Sequence, residues 1–168
     1  LLTSSPAIQY FSGFKNGEGM ALIPFEGENA IITDERYKVQ IEEEVDPGLF
    51  DILTAISSVK QLETLKEKIP YFSRLCVEDN YLVLKDFLKI KELWSDVEII
   101  PASDFILGIR SLKEKGEILL IKKAIKITEK ALEEVLPLIK VGISENDIAA
   151  EITYRQKKMG AESDSFPL

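Results

Sequence analysis

The clearest pattern of apolar and polar positions lies in the last third of the chain. Ile118, Ile121, Ile125, Leu132 and Val135, with Thr128 between them, recur at helical spacing. They predict a long helix from Glu117 to about Leu138, with acidic Glu117 suiting its first turn, Pro137 near its end and Gly142 as its stop. Ser144 and Asp147 form a capping-box pattern that starts a second helix, running through Met159 with Ile148, Ile152 and Met159 inward and Gly160 as terminator. Upstream the pattern changes to short alternating elements. Leu1 to Ser4 reads as the tail of a strand, Ser5 as a cap and Pro6 as the first residue of a helix to about Ser12. A loop carrying Gly13, Gly17 and Gly19 leads to a strand from Met20 to Phe25. A turn over Glu26–Asn29 then returns the chain as a strand from Ala30 to Thr33.

Thr33-Asp34 is placed to cap a helix from Glu35 to about Glu44, with Tyr37, Gln40 and Ile41 on one face, and Asp46-Pro47-Gly48 breaks it. Phe50–Ile56 fits strand or helix. Ser57-Ser58 opens a helix with Leu62 and Leu65 inward, and Phe72–Val77 reads as a buried strand followed by a Glu78-Asp79-Asn80 loop. Val83, Phe87, Ile90 and Trp94 mark the packing face of a further helix; Val97–Ile100 is a strand stopped by Pro101, and Ser103 caps a helix from Asp104 to about Ser111. Strand and helix alternating in this way predict a sheet covered by helices. The expectation is therefore a complete or nearly complete α/β domain followed by the opening of a second, jointed near Gly116. Ser163–Leu168 reads as the start of a strand, and both ends look cut; a targeting segment ahead of Leu1 remains open.

The 168 residues, 45% apolar, suffice for one good-sized domain, or for one domain plus a piece of another. With 21 basic against 29 acidic residues, net charge −8 and no basic run, a nucleic-acid partner is not expected. No apolar run approaches the roughly 20 residues of a membrane span. The single Cys76 reads as a small core residue, and with no disulfide framework a reducing, cytoplasmic setting fits. Histidine is absent, which removes the commonest general base and transition-metal ligand. The glycine loop lacks the Lys-Ser/Thr of a phosphate cradle, since Met20-Ala21 follows. Glu42, Glu43 and Glu44 are adjacent on a helix, point in different directions and read as a solvated face.

Several short motifs carry a family resemblance through their order. Tyr10-Phe11-Ser12-Gly13-Phe14 is followed by Thr33-Asp34, Arg36-Tyr37, Gln40 and Val77-Glu78. Ile109-Arg110 with Lys113, Glu117-Ile118 with Ile121 and Ala124, and Gly142-Ile143-Ser144-Glu145 leading to Ile148-Ala149-Ala150-Glu151 complete the set. In that order the chain resembles the Xaa-Pro dipeptidases (prolidases) and aminopeptidases P. The resemblance implies a creatinase/prolidase-type N-terminal domain over 1–112, a mixed sheet covered by helices. It implies that 113–168 begin a pita-bread metallopeptidase domain, of which two helices would fall within this sequence.

The same resemblance implies two divalent metal ions, Mn, Co or Zn, held by two Asp, one His and two Glu, and a metal-bridging hydroxide that attacks the bond before proline. All five ligands would lie beyond Leu168, so no catalytic or metal-binding residue is expected here. The N-terminal domain of such enzymes mediates a homodimer, and one of its loops reaches the partner's active site. By position this loop is Phe14-Lys15-Asn16-Gly17-Glu18-Gly19. Phe14, Lys15, Asn16 and Glu18 are thus candidates to face a proline-containing peptide, joined by Arg36 and Tyr37, because an arginine fork can grip a substrate carboxylate. Plainer readings stand beside these: Arg36 pairing with a local carboxylate, Tyr37 packing, the loop an ordinary connection. Two other functions share the fold, a creatine-amidinohydrolase-like enzyme and a non-catalytic protein-binding module.

Overall fold

The computed structural model describes residues 1–15, 18–69 and 71–163. Two compact units form, Leu1–Ser111 and Leu112–Leu168.

In the first unit, β1 (Gly19–Leu22) pairs antiparallel with β2 (Asn29–Thr33), which pairs in parallel with β3 (Phe50–Thr54). The parallel step requires a crossover, supplied by a 3-10 turn over Glu35–Tyr37 and helix α2 (Lys38–Glu44). A second parallel pair, β4 (Arg74–Val77) and β5 (Glu98–Pro101), is connected through α4 (Leu84–Leu93). The first residues of the chain bridge the two sheets. Leu2 exchanges backbone hydrogen bonds of 2.8 and 3.0 Å with Ala21, and the Leu1 nitrogen donates to the Cys76 carbonyl at 2.7 Å. The expected strand tail is thus a single bridging step.

Strand periodicity then sorts the core onto two faces. Met20, Leu22, Ala30 and Ile32 point to one, where Leu62 and Leu65 of α3 (Ser58–Lys68) and Ile90 and Trp94 close over them. Ala21 and Ile31 point to the other, against Ile8 of α1 (Ser5–Ser12), Ile41, Phe50 and Ile106 of α5 (Ser103–Ser111). Buried on both faces, β2 reads as the continuous apolar run Ala30-Ile31-Ile32. The same register resolves the first five residues of the ambiguous Phe50–Ile56 stretch as strand, Phe50–Thr54, with Ile31 opposite Ile52.

Several local expectations are corrected. The cap of α1 is Ser4, whose hydroxyl accepts from Ala7 N, and Pro6 occupies the second helical position, where no amide is needed. Cys76 is exposed: β4 alternates, burying Leu75 and Val77 and turning Cys76 outward, so the strand is half-buried. Pro101 belongs to β5, because among the described residues β4 alone pairs with that strand and its other edge needs no donor. β1 stops at Leu22, leaving Ile23 and Phe25 exposed, and Val83 is the exposed residue preceding α4. Ser103 is the first residue of α5, and its hydroxyl accepts from Asn80 N instead.

In the second unit, α6 (Lys115–Val135) starts one residue ahead of Gly116, because the Glu117 carboxylate accepts from Glu114 N at 2.9 Å and closes the turn. Gly116 is therefore helical. A 3-10 turn over Leu136–Leu138 leads to α7 (Glu145–Lys158), opened by the expected box between Ser144 and Asp147. The covered stripe of α6 is Ile127, Ala131 and Val135; Ile118, Ile121, Ile125 and Leu132 stay exposed. One partner helix covers only a narrow seam. Ile148, Ile152 and Met159 are correspondingly half-buried. No helix of the described residues is long and apolar enough to cross a membrane.

Candidate functional site

The end of β2 delivers the candidate residues. Thr33, Asp34, Arg36 and Tyr37 follow one another as strand gives way to a 3-10 turn, because Asp34 accepts from Arg36 N at 3.0 Å and reverses the chain within two residues. The same Asp34 oxygen accepts from Arg36 Nε at 2.8 Å, and an Arg36 terminal nitrogen lies 3.5 Å from a Glu18 carboxylate oxygen. The guanidinium also lies over the Tyr37 ring, 5.5 Å from its centre. The side-chain hydrogen bond from Arg36, followed by the one from its backbone amide, holds the Asp34 carboxyl below its ordinary range, and the Asp34 carboxylate raises Arg36 in turn.

Among the candidates, then, Glu18, Arg36 and Tyr37 come together. The Arg36 side chain is 69% exposed, yet its fork already faces two carboxylates. A peptide carboxylate would reach it by exchanging with one of them. Phe14 is 1% exposed and lies in the core, with the half-buried Tyr37 ring edge-on at 6.4 Å, so its side chain is out of reach of a ligand. Lys15 is exposed, and Asn16 lies outside the described residues.

Gln40, expected as part of a motif, and Glu44, expected on a solvated face, instead fix the loop. Lys15 is gripped through its backbone, its N–H donating to Glu44 at 2.7 Å and its carbonyl accepting from Gln40 Nε2 at 2.7 Å. The i, i+4 spacing of Gln40 and Glu44 was the available signal. At the other root the Thr33 hydroxyl donates to the Glu18 carbonyl. Gly13 closes α1 with φ of 84°, and a side chain at Gly19 would place its first carbon 2.2 Å from the Ile32 carbonyl oxygen. Both loop roots are therefore held tightly against β2 and α2.

Beside Arg36 opens a cavity of about 510 Å³ that includes Thr3, Asp34, Ser57, Gln61 and Asp86 in its walls. The described residues do not by themselves form a dinuclear metal centre. Histidine is missing from the sequence, and among the described residues no group of three or more Cys, Asp or Glu is disposed to hold an ion.

Residues 1–112 match the creatinase/prolidase N-terminal domain. The chain belongs to that family. The expected α/β fold of the creatinase/prolidase N-terminal domain, followed by helices of the next domain, is the one observed. Metallopeptidase family M24 matches over residues 120–168. The uncharacterized peptidase YqhT of Bacillus subtilis (strain 168) is 30% identical over 170 residues, covering 100% of this chain and 47% of the relative. The Xaa-Pro dipeptidase of Pyrococcus horikoshii is 26% identical over 174 residues, covering 99% of this chain and 45% of the relative. The crystal structure of the X-Pro aminopeptidase from Thermotoga maritima MSB8 superposes with a TM-score of 0.84 at 31% identity, over 98% of this chain and 46% of that one. The chain thus spans a little under half the length of these creatinase/prolidase relatives.

Proposed function

We propose that this chain is the N-terminal part of a proline-specific metallopeptidase, an Xaa-Pro dipeptidase or aminopeptidase P, in which it serves dimerisation and substrate access. The observation that carries this is the order of the two family matches, creatinase/prolidase N-terminal domain over 1–112 and metallopeptidase family M24 over 120–168, on a fold shared with an X-Pro aminopeptidase. The division at residue 112 into a first domain and the beginning of a pita-bread domain is part of the proposal. So is a cytoplasmic homodimer. The exposed apolar side chains of α6, among them Leu119, Leu120 and Ile125, support a larger domain that would cover them.

In this reading two divalent ions, Mn, Co or Zn, supply the nucleophile and the Lewis acid and are held by residues outside these 168. This chain's own contribution is positional. Gln40, Glu44 and Thr33 hold the roots of the 14–19 loop, and Arg36, released from Asp34 or Glu18, takes the carboxylate of a proline-containing peptide. The test is hydrolysis of Xaa-Pro dipeptides and longer Xaa-Pro peptides by the full-length protein, with and without Mn, Co or Zn. Metal-dependent cleavage before proline is expected, with none by the 168-residue chain alone, and Arg36→Gln should raise KM more than it lowers kcat. A metal-loaded, folded full-length protein without Xaa-Pro turnover would refute the assignment.

A further inference from the structure

The cavity beside Arg36 contains a carboxylate with one oxygen that no group among the described residues satisfies. Asp86, in the first turn of α4, is 7% exposed and lines the cavity, and its Oδ1 has no hydrogen-bond partner. The Thr3 hydroxyl, also in the wall, is buried and unpartnered. No donor in the wall, the Ser57, Ser58 and Tyr81 hydroxyls included, reaches Asp86 Oδ1, and the two nitrogen donors have other partners. Gln61 Nε2 donates to the Ala55 carbonyl at 3.3 Å, and the Arg36 guanidinium faces Asp34 and Glu18. Glu18, Asp34 and Asp86 therefore confront a single cation in the wall, and Asp86 is the one left without a counter-charge. The helix N-terminus beneath it favours the negative charge but donates no hydrogen to Oδ1.

Buried carboxylate oxygens are ordinarily paired with a donor, and an orphan beside a cavity points to a donor that enters from outside. At about 510 Å³ the space lies within the range of small-molecule sites, roughly 300–1,000 Å³, and Met20 and Leu82 add apolar wall. A neutral donor would satisfy the oxygen and leave the charge uncompensated. A compact ammonium does both.

We propose that this cavity binds a small protonated primary amine, its ammonium donating to Asp86 and to the Thr3 hydroxyl and its short aliphatic body lying on Met20 and Leu82. The site needs neither metal nor partner subunit, so it stands or fails separately from the peptidase assignment.

The probe is n-butylammonium chloride, titrated into the isotope-labelled 168-residue chain at constant ionic strength and followed by amide NMR, with n-butanol as the neutral isostere. Saturable shifts centred on Thr3, Gln61 and Asp86 are expected, with butanol at least roughly tenfold weaker because it lacks the charge-assisted bond. Asp86→Asn, which keeps the shape and removes the charge, should weaken butylammonium by a similar factor, and Thr3→Val by about threefold for the loss of the hydroxyl acceptor. Equal binding of amine and alcohol, shifts centred elsewhere, or no saturable shift would each overturn the proposal, as would unchanged affinity in Asp86→Asn. If Asp86→Asn does not fold, the alcohol comparison on the unaltered chain still decides.

Discussion

Glu78 offers the sharpest test of how the first unit is held together. Its carboxylate stands directly after β4, 3% exposed, and accepts from Thr3 N at 2.6 Å, Ser4 N at 2.8 Å and the Ser4 hydroxyl at 2.6 Å. It thereby ties the start of the chain, and the cap of α1, to a strand 74 residues away. Glu78→Ala leaves three donors facing an apolar gap. Each stranded donor costs about 1–3 kcal/mol, and the sum overstates the loss because water reaches the part-buried Thr3 amide, so about 3–5 kcal/mol is expected. Glu78→Gln keeps the volume but turns an amide NH2 toward existing donors, and about 2–3 kcal/mol should go. With a urea slope of roughly 2 kcal/mol per molar, the Ala variant should unfold at a midpoint about 2 M lower. Ser4→Ala removes both the cap and one Glu78 donor, so the pair should couple by roughly 1 kcal/mol or more in a double-mutant cycle. A loss below about 1 kcal/mol in Glu78→Ala at unchanged slope, or additivity in the cycle, would mean these short contacts do not secure α1.

Other outcomes follow from the same geometry. Gly19→Ala must move the β1 backbone away from Ile32 and should cost about 2–3 kcal/mol or prevent folding, read as a thermal melt; a variant within about 0.5 kcal/mol would contradict the close approach. Gln40→Ala unpins the Lys15 carbonyl, so trypsin should cut after Lys15 several times faster while the melting temperature barely moves, and an unchanged cutting rate would disprove the clamp. The Ser103 amide donates to Asp79 and holds its carboxyl below the ordinary 3.8, which makes the folded form the weaker proton binder. The stability from that bond is therefore complete above about pH 4 and is lost as pH falls through the lowered folded value. Asp79→Asn should flatten this acid limb, and superimposable pH curves for variant and parent would refute it.

Much of the fold was legible because it rests on local rules. Apolar spacing located α3, α4, α6 and α7, the Ser144–Asp147 box placed the start of α7 and glycines marked several ends; these signals act within a few residues. Elsewhere tertiary context overrides the local pattern. Cys76 sits in an apolar run yet faces outward, since a strand shows alternate residues to opposite sides and only partners in space say which side is covered. The exposed isoleucines of α6 have the spacing of a packing face, but α7 covers a different stripe. Phe14, by position a loop residue, is drawn into the core by Ile8 and Ile41.

The candidate site divides in the same way. The order of short motifs, from the Tyr10–Phe14 run to Ile148–Glu151, was enough by itself to indicate the family, because order along the chain needs no coordinates. The pairing of Arg36 with Glu18, the grip of Glu44 and Gln40 on Lys15, and the meeting of Thr3 with Asp86 around one cavity join residues 18 or more positions apart. Such contacts depend on strand register and on helices laid across the sheet. Tertiary structure alone decided which carboxylates are satisfied and which is left facing open space.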